Sequence, residues 1–382
     1  MSPDDLIREG QRVMTVCNAC RYCEGYCPVF QAMEDRLTFA KHDLTYLANL
    51  CHNCGECLYA CQYAPPHEFG INVPRALAQI RLSSYEESCW PHVVGRAFRR
   101  QPIVTAISLA AGFATLLVVT RVFAGEPSPG DFYQVVPHHV MVALFSAVAL
   151  FVVAALVIAG KRGRQSFSVS ATGVAETEKG VRPLFGRPGL KKGPYPFFAG
   201  RPFFAGLRDS LTLRHLHGAG ENCTDAEDTR GPWRRWFHHC TFYGFALCFA
   251  STSVAAIYHL VFGWRAPYAY TSLPVVLGTA GGIGLLIGPA GLFAMRQVRD
   301  GALADPAQRG LDVSFITLLF LASLSGLVLM ALRDHGSMPA LLVVHLASVL
   351  ALFLMLPYGK FVHGIHRMAA LVKFADERPG QH

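Results

Sequence analysis

The sequence predicts an all-α protein in two parts: a small cysteine-bearing helical domain, then a bundle of six membrane-spanning helices. Three observations carry this. Eight of the twelve cysteines lie between Cys17 and Cys61, in two segments of identical spacing. Beyond residue 101 the chain holds six long apolar runs. Of its 382 residues, 52% are hydrophobic and only 16% charged, whereas a soluble domain is roughly a quarter charged.

The N-terminal segment "MSPDDLIREGQRVM" has no apolar core ahead of a small-residue cleavage site, so no export signal is expected. Eight cysteines upstream of the first apolar run should then face a reducing cytoplasm, where thiols serve metals rather than disulfides. Net charge is +8. No run of lysine and arginine is interleaved with aromatics as a nucleic-acid surface requires, and no nucleic-acid partner is expected.

The first cysteine segment, "CNACRYCEGYC", supplies Cys17, Cys20, Cys23 and Cys27; the second, "CHNCGECLYAC", supplies Cys51, Cys54, Cys57 and Cys61. Both read C-x2-C-x2-C-x3-C. Three thiolates at two-residue gaps wrap three corners of an iron–sulfur cube, and the fourth reaches across to the other cube. This predicts two [4Fe–4S] clusters, one on Cys17, Cys20, Cys23 and Cys61, the other on Cys51, Cys54, Cys57 and Cys27. Two four-cysteine zinc sites are the alternative, but zinc sites normally use two CxxC knuckles separated by a longer loop. "AKHDLTYLANL" and "NVPRALAQIRL" read as helices, with Pro74 near the start of the second, where its missing N–H is harmless. The domain, residues 1–95, therefore reads as an α-helical ferredoxin. Cys89, Cys223, Cys240 and Cys248 match no ligand spacing; Cys240 and Cys248, inside an apolar run, read as buried thiols.

A membrane span needs about 20 apolar residues. Six segments qualify: 102–122 and 138–160, forming a hairpin within 96–160, then 239–262, 273–295, 312–332 and 339–358, forming a four-helix bundle within 238–382. Basic residues set orientation. Arg96, Arg99 and Arg100 precede the first span; Lys161, Arg162 and Arg164 follow the second; Arg234 and Arg235 precede the third; Arg296 and Arg299 follow the fourth; Lys360, Arg367 and Lys373 follow the sixth. The opposite loops, "GEPSPGDFYQVVP", "GWRAPYAYTS" and "RDHGSMP", are poor in Lys and Arg. Both termini are expected in the cytoplasm of a bacterium, with the chain crossing the inner membrane. Residues 161–237 form a long cytoplasmic connection containing the repeat "PFFAGRPFFAG", either an ordered loop packed on the membrane face or a docking surface.

Histidine inside a membrane is a functional candidate and a haem-iron ligand. His345 and His363 are eighteen residues apart. On one continuous helix that is five whole turns and about 27 Å, so both would face the same way. The third span carries His238 and His239 at its cytoplasmic end and His259 at its outer end. The matched depths predict two pairs, His259 with His345, and His238 or His239 with His363, holding one or two haem b groups between helices. An ideal helix places His238 about −60° from His259 and His239 about −160°, which favours His238. His138 and His139 read as interfacial, and His366 as a surface residue. "GTAGGIGLLIGPAG" lies inside a span with no strand before it, so it is no nucleotide loop; Gly284 and Gly288 read as a close helix contact.

Beyond these motifs, "CQYAPPHEFGINVP", "HHCTFYGFALCFASTSVAAIYH" and "LPYGKFVHGIHR" resemble the tricarballylate-utilisation, or citrate-utilisation protein B, family over nearly the whole chain. The resemblance implies two [4Fe–4S] clusters and haem b. It also implies reoxidation of the reduced FAD of a separate tricarballylate dehydrogenase, with electrons passed to the quinone pool. The last four spans are also similar to the gamma subunit of respiratory nitrate reductase, where two histidines of the last helix pair with two of an earlier one. By that analogy His239, five residues before Gly244, would be the inner ligand.

The expected fold is an α-helical two-cluster ferredoxin domain followed by a six-helix transmembrane bundle with haem-binding helices. The expected function is an electron conduit in the lipid bilayer, from a cytoplasmic flavoprotein to membrane quinone. No flavin or dinucleotide fingerprint is present, so the hydride acceptor belongs to another chain, and no substrate-level catalytic residue is expected here. Two alternatives stand beside it: the membrane subunit of a heterodisulfide-reductase-like or sulfite-pathway complex, and, in another class, an iron–sulfur redox sensor.

Overall fold

The computed structural model describes residues 2–122, 132–167, 200–216, 233–303 and 305–378, and every regular element among them is helical. Helix α1 (Pro3–Cys20) opens on a reciprocal cap: the Asp5 N–H donates to the Ser2 hydroxyl, and the Ser2 N–H donates to the Asp5 carboxylate. Helix α2 (Pro28–Glu34) starts directly after Cys27, with proline at its first position, where no intrahelical donor is lost. Helix α3 (Lys41–Leu50), the single turn α4 (Glu56–Tyr59) and α5 (Val73–Ser88) follow. Pro74 sits in the first turn of α5, and Asn72 caps it by accepting from the Arg75 N–H at 3.0 Å. Val13, Met14, Phe30, Met33, Leu44, Leu47, Leu77 and Ile80 form the centre of this domain.

Helix α6 (His92–Arg100) leads into α7 (Pro102–Val122), followed by α8 (Phe132–Val135), α9 (His138–Ser166), α10 (Arg201–Thr212), α11 (Trp233–Phe262) and α12 (Leu273–Gln297). Helices α13 (Arg309–Ala331), α14 (Met338–Met355) and α15 (Val362–Glu377) complete the chain. Six segments are long and apolar enough to cross a membrane: Pro102–Thr120, His138–Ser166, Trp233–Phe262, Leu273–Gln297, Pro306–Ala331 and Met338–Met355. They answer to the six runs expected from hydropathy. The glycine motif of α12 is a packing surface, as its place inside a span requires. A Cβ on Gly284 would lie 3.0 Å from the Cys240 carbonyl, and one on Gly288 2.6 Å from the Thr241 nitrogen, so α12 meets the α11 backbone directly.

Two expectations need correction. The sixth span does not continue to His363. Pro357 has no N–H to offer the Phe353 carbonyl, and α14 ends at Met355. Leu356–Phe361 form a turn fixed by the Tyr358 hydroxyl, which donates to the Trp90 carbonyl at 3.0 Å, and by stacking of Tyr358 on Phe98 at 5.3 Å. Helix α15 packs on the first domain. Its Ala369, Ala370, Leu371 and Phe374 belong to the core of the N-terminal domain. Finally, His366 is not on the surface but 1% exposed, with Nε2 3.1 Å from the Ser88 hydroxyl. Burial holds its pKa down near about 4.

Charged pairs fasten the C-terminal helix to α2. Arg378 binds Asp35 and Glu34, and Arg36 binds Asp43 at 2.8 Å and Glu377 at 2.9 Å. Helix α10, which begins with the second copy of the repeat, lies on α15, with Gly206 against the Val372 backbone. Residues 196–199 of the first copy, and Cys223, lie outside the described residues. The N-terminal domain thus caps one end of the bundle. Asn53 donates to the Leu303 carbonyl, Asn72 to that of Ala302, Gln308 to that of Ala78, and Arg162 to that of Cys89. These contacts involve the ends that carry the basic flanks.

Candidate functional site

The eight clustered cysteines are distributed between two cavities. One is lined by Cys17, Cys20, Cys23 and Cys61 together with Val16, Phe30 and Tyr22. The other is lined by Cys27, Cys51, Cys54 and Cys57 together with His52, Asn53 and His215. Cys57 reaches the wall of the first as well. Each sequence motif therefore sends its fourth cysteine to the other motif's cavity. The fold does this by starting α2 at Cys27 and by turning the chain sharply through the second motif, where Asn53 and Gly55 adopt left-handed backbone angles of φ 54 and φ 102. Gly55 meets the Leu303 side chain at 2.7 Å from its would-be Cβ, so neither a side chain nor an ordinary backbone angle fits there.

The thiols crowd one another. Burial, then the neighbouring sulfurs of Cys61, Cys23 and Cys20, push Cys17 to about 12. Burial also raises Cys27 and Cys57, with the sulfurs of Cys51 and Cys54 adding to both. Amide groups act the other way: the N–H groups of Val29 and Phe30 donate to Cys27 and that of Glu56 to Cys54, while the Asn53 N–H donates to Cys51 Sγ at 3.3 Å. Grouped soft sulfur ligands with N–H donors aimed at them are the donor chemistry of an iron–sulfur centre. Among the described residues, no set of three or more His, Cys, Asp or Glu side chains is drawn together around a single metal-ion position.

At the end of the bundle that meets the N-terminal domain, His238 and His363 face each other, ring centres 6.1 Å apart and planes at 75°. An iron bound by two imidazoles at about 2 Å each puts the ring centres about 6 Å apart. The His363 Nδ1 bonds the Lys360 carbonyl, which directs Nε2 at His238. Burial, then the Lys360 charge, lowers His363 to about 3, so it is a neutral, ligand-ready imidazole. His238 Nδ1 is buried without a hydrogen-bond partner. His239 points elsewhere, edge-on to Tyr243 at 5.6 Å. Helical phase favours His238, the member that stands beside His363 here, while the nitrate-reductase analogy favours His239.

The outer level departs from expectation. His259 and His345, expected to face each other, make no ring contact with one another among the described residues. His259 stacks on His138 at 4.0 Å and lies 3.4 Å from the Tyr133 hydroxyl. His345 turns onto α13, with Nδ1 3.1 Å from the Ala322 carbonyl and 3.2 Å from the Ser325 hydroxyl, in space left by Gly326. Rotation about each helix axis is set by packing that the sequence does not display. His138, read as merely interfacial, is part of this outer group.

In the wall of the second cysteine cavity stands His52, which sequence reading passed over because it sits inside the motif as a spacer. It lies 6.3 Å from the His215 ring, and its Nε2 has no hydrogen-bond partner. Burial, then Arg367, His215, Arg234 and His238, hold its pKa well below the ordinary range. A signal for it exists only in three dimensions, where it lines the cavity of the sulfurs and the charge of His238 reaches it.

Comparison with known proteins matches two family models to the chain. Residues 10–87 match one described as the citrate utilization protein B Fer4-like domain, and residues 101–382 match citrate utilization protein B. The Escherichia coli protein named citrate utilization protein B is 44% identical over 375 residues, covering 97% of this chain and 92% of its own length. No solved structure matches.

Proposed function

The chain belongs to the citrate utilization protein B family, and on that premise we propose that it carries electrons from the reduced FAD of a cytoplasmic dehydrogenase of the tricarballylate type to membrane quinone. One observation carries the reading: the two cysteine cavities share Cys57, His52 lines the second of them, and His238, which faces His363, is among the groups whose charge reaches His52.

In this reading Cys17, Cys20, Cys23 and Cys61 hold one [4Fe–4S] cluster, Cys27, Cys51, Cys54 and Cys57 hold a second, and His238 and His363 hold one haem b. Bound there, these groups accept and release single electrons, which divides a two-electron flavin oxidation into one-electron steps. The protein's own contribution is placement and charge. The amides of Val29, Phe30 and Glu56 stabilise negative charge on sulfur, and the Lys360 carbonyl orients His363. Tyr22, 63% exposed on the rim of the first cavity, presents an aromatic face to an incoming flavoprotein. The basic flanks and the N-terminal domain share one end of the bundle, which supports a bacterial inner-membrane protein with both termini in the cytoplasm.

The test is an optical titration of membranes containing the protein. Reduced flavoprotein is added and the α-band of haem b followed, with and without a quinone analogue. The haem should reduce, and quinone should reoxidise it. Flavin that reoxidises while the haem stays oxidised would refute the route.

A further inference from the structure

The second copy of the repeat "PFFAGRPFFAG" builds the start of α10, and the electron route makes no use of it. Pro202 stands in the first turn, where a missing N–H is harmless. Gly206 lets the helix lie directly on α15, because a Cβ there would come within 2.8 Å of the Val372 nitrogen. Asp209 is buried. At about 100° per residue, Phe203, Leu207, Leu211 and Phe204 cover about 100° of arc, and Arg208 and Arg201 adjoin them. Phe204 is 67% exposed, and Arg201, Arg208 and Leu211 are exposed beside it. The side of α10 turned away from α15 is thus an apolar stripe edged by arginine.

Two hydrogen bonds set the depth of this helix. The Tyr243 hydroxyl of α11 donates to the Leu211 carbonyl at 3.0 Å, and Arg235 donates to that of Thr212 at 2.8 Å. The end of α10 therefore lies beside residues 235–243 of α11, where that helix passes from its basic start into its apolar run. Trp233 and Trp236 are exposed ahead of the run, and Phe242 and Phe249 are exposed within it. Tryptophan and tyrosine at such a boundary mark the headgroup level of a bilayer. The exposed side of α10 continues the same surface at that level. Its cations remain outward: Arg208 and Arg214 each reach Asp209, at 3.3 Å and 3.9 Å, yet both keep about half of their side-chain surface exposed.

We propose that α10 is an interfacial helix that binds anionic phospholipid in the leaflet facing the N-terminal domain. Phe204 and Leu211 enter the acyl boundary, and Arg201, Arg208 and Arg214 meet the headgroup phosphates. A helix with an apolar stripe, a basic edge and low overall hydrophobicity lies in the membrane plane rather than across it. Guanidinium groups match phosphate oxygens two at a time, and basic residues beside a span are drawn to anionic lipid. Continuity with the exposed side of α11 decides for lipid over a protein partner. Seated so, α10 holds α15, and with it the core of the N-terminal domain, against the membrane face. The inference needs the chain to lie in a bilayer, but not the electron route.

The experiment is photocrosslinking of the full-length protein in phosphatidylcholine vesicles. They hold a small fraction of either phosphatidylglycerol or phosphatidylcholine with a photoreactive acyl chain, and labelled peptides are mapped by mass spectrometry. Labelling of α10 is read against that of α12 at Val276, Ile283 and Ile287, which are exposed along a span. On this ratio phosphatidylglycerol should exceed phosphatidylcholine at least about tenfold in the parent protein, and Arg201→Gln should cut the excess about fivefold. Arg208→Gln should act alike, and Arg201→Lys should keep most of the excess. Equal labelling by the two probes, an α10 that takes no label, or an unchanged ratio in Arg201→Gln overturns the proposal. So does a bifunctional reagent that joins α10 to residues 217–232 or to a second copy of the chain in place of lipid. Arg208 also meets Asp209; should its Gln variant fail to insert, Arg201→Gln decides the matter alone.

Discussion

At the scale of single residues, His238 and His239 are adjacent in sequence and opposite in consequence. His238 faces His363 at 6.1 Å, while His239 lies edge-on to Tyr243. His238→Ala should therefore abolish the haem b spectrum of isolated membranes and His239→Ala should leave it. The reverse result would place the inner ligand on the other face of α11. Cys57→Ser should lower iron and sulfide content and slow electron flow to haem, with membrane insertion intact, as assays of iron, labile sulfide and membrane-bound protein would register. The division of the eight cysteines into two sets was legible in the sequence, because each motif prints a short repeating spacing and the fold sends each fourth cysteine to the other cavity. The choice between two neighbouring histidines was only half legible. It depends on helical phase at a helix end, and the turn at Leu356–Phe361 resets the phase of His363 altogether.

At the scale of elements, two features decide where those histidines stand. One is the contact of α11 with α12. A Cβ on Gly288 would lie 2.4 Å from the Thr241 hydroxyl and 2.7 Å from the Phe237 carbonyl, one residue before His238. Gly288→Val must push the two backbones apart, at a cost of about 1–3 kcal/mol or more for overpacking. Because the strain falls at the level of His238, haem content should drop more sharply than the amount of inserted protein, as a ratio of haem absorbance to protein on a gel would show. The glycine stripe was readable, because small residues four apart inside a span have few other uses. The other feature, the break after Met355, was marked in the sequence by Pro357 and Gly359 but hidden by an arithmetic coincidence. Eighteen residues make five whole turns, so a continuous helix offered a satisfying but wrong route from His345 to His363.

At the scale of the whole molecule, neighbours in space and neighbours in the chain part company. The last helix supplies Ala369, Ala370, Leu371 and Phe374 to the core of the first domain, along with His363 and Arg367 at the junction. Hydropathy could not foretell this, since α15 is amphipathic and its partners lie some 300 residues upstream. Arg378 is 4% exposed and sits between Glu34 and Asp35. Arg378→Ala would strand two carboxylates, which costs roughly 3–5 kcal/mol, a large share of the roughly 5–15 kcal/mol that a domain holds in reserve. Iron and sulfide content should fall, and fall further on mild warming than in the parent protein, because the stranded carboxylates stand at the far end of α2, the helix that begins directly after Cys27. A chain stopped after Phe361 takes the argument to its limit. It keeps all six spans and every cysteine of both motifs, yet it should insert in the membrane without iron, sulfide or haem. Retention of either cluster by that truncated chain would mean that the N-terminal domain folds without its C-terminal helix, and that the shared core is a convenience of packing rather than a condition of assembly.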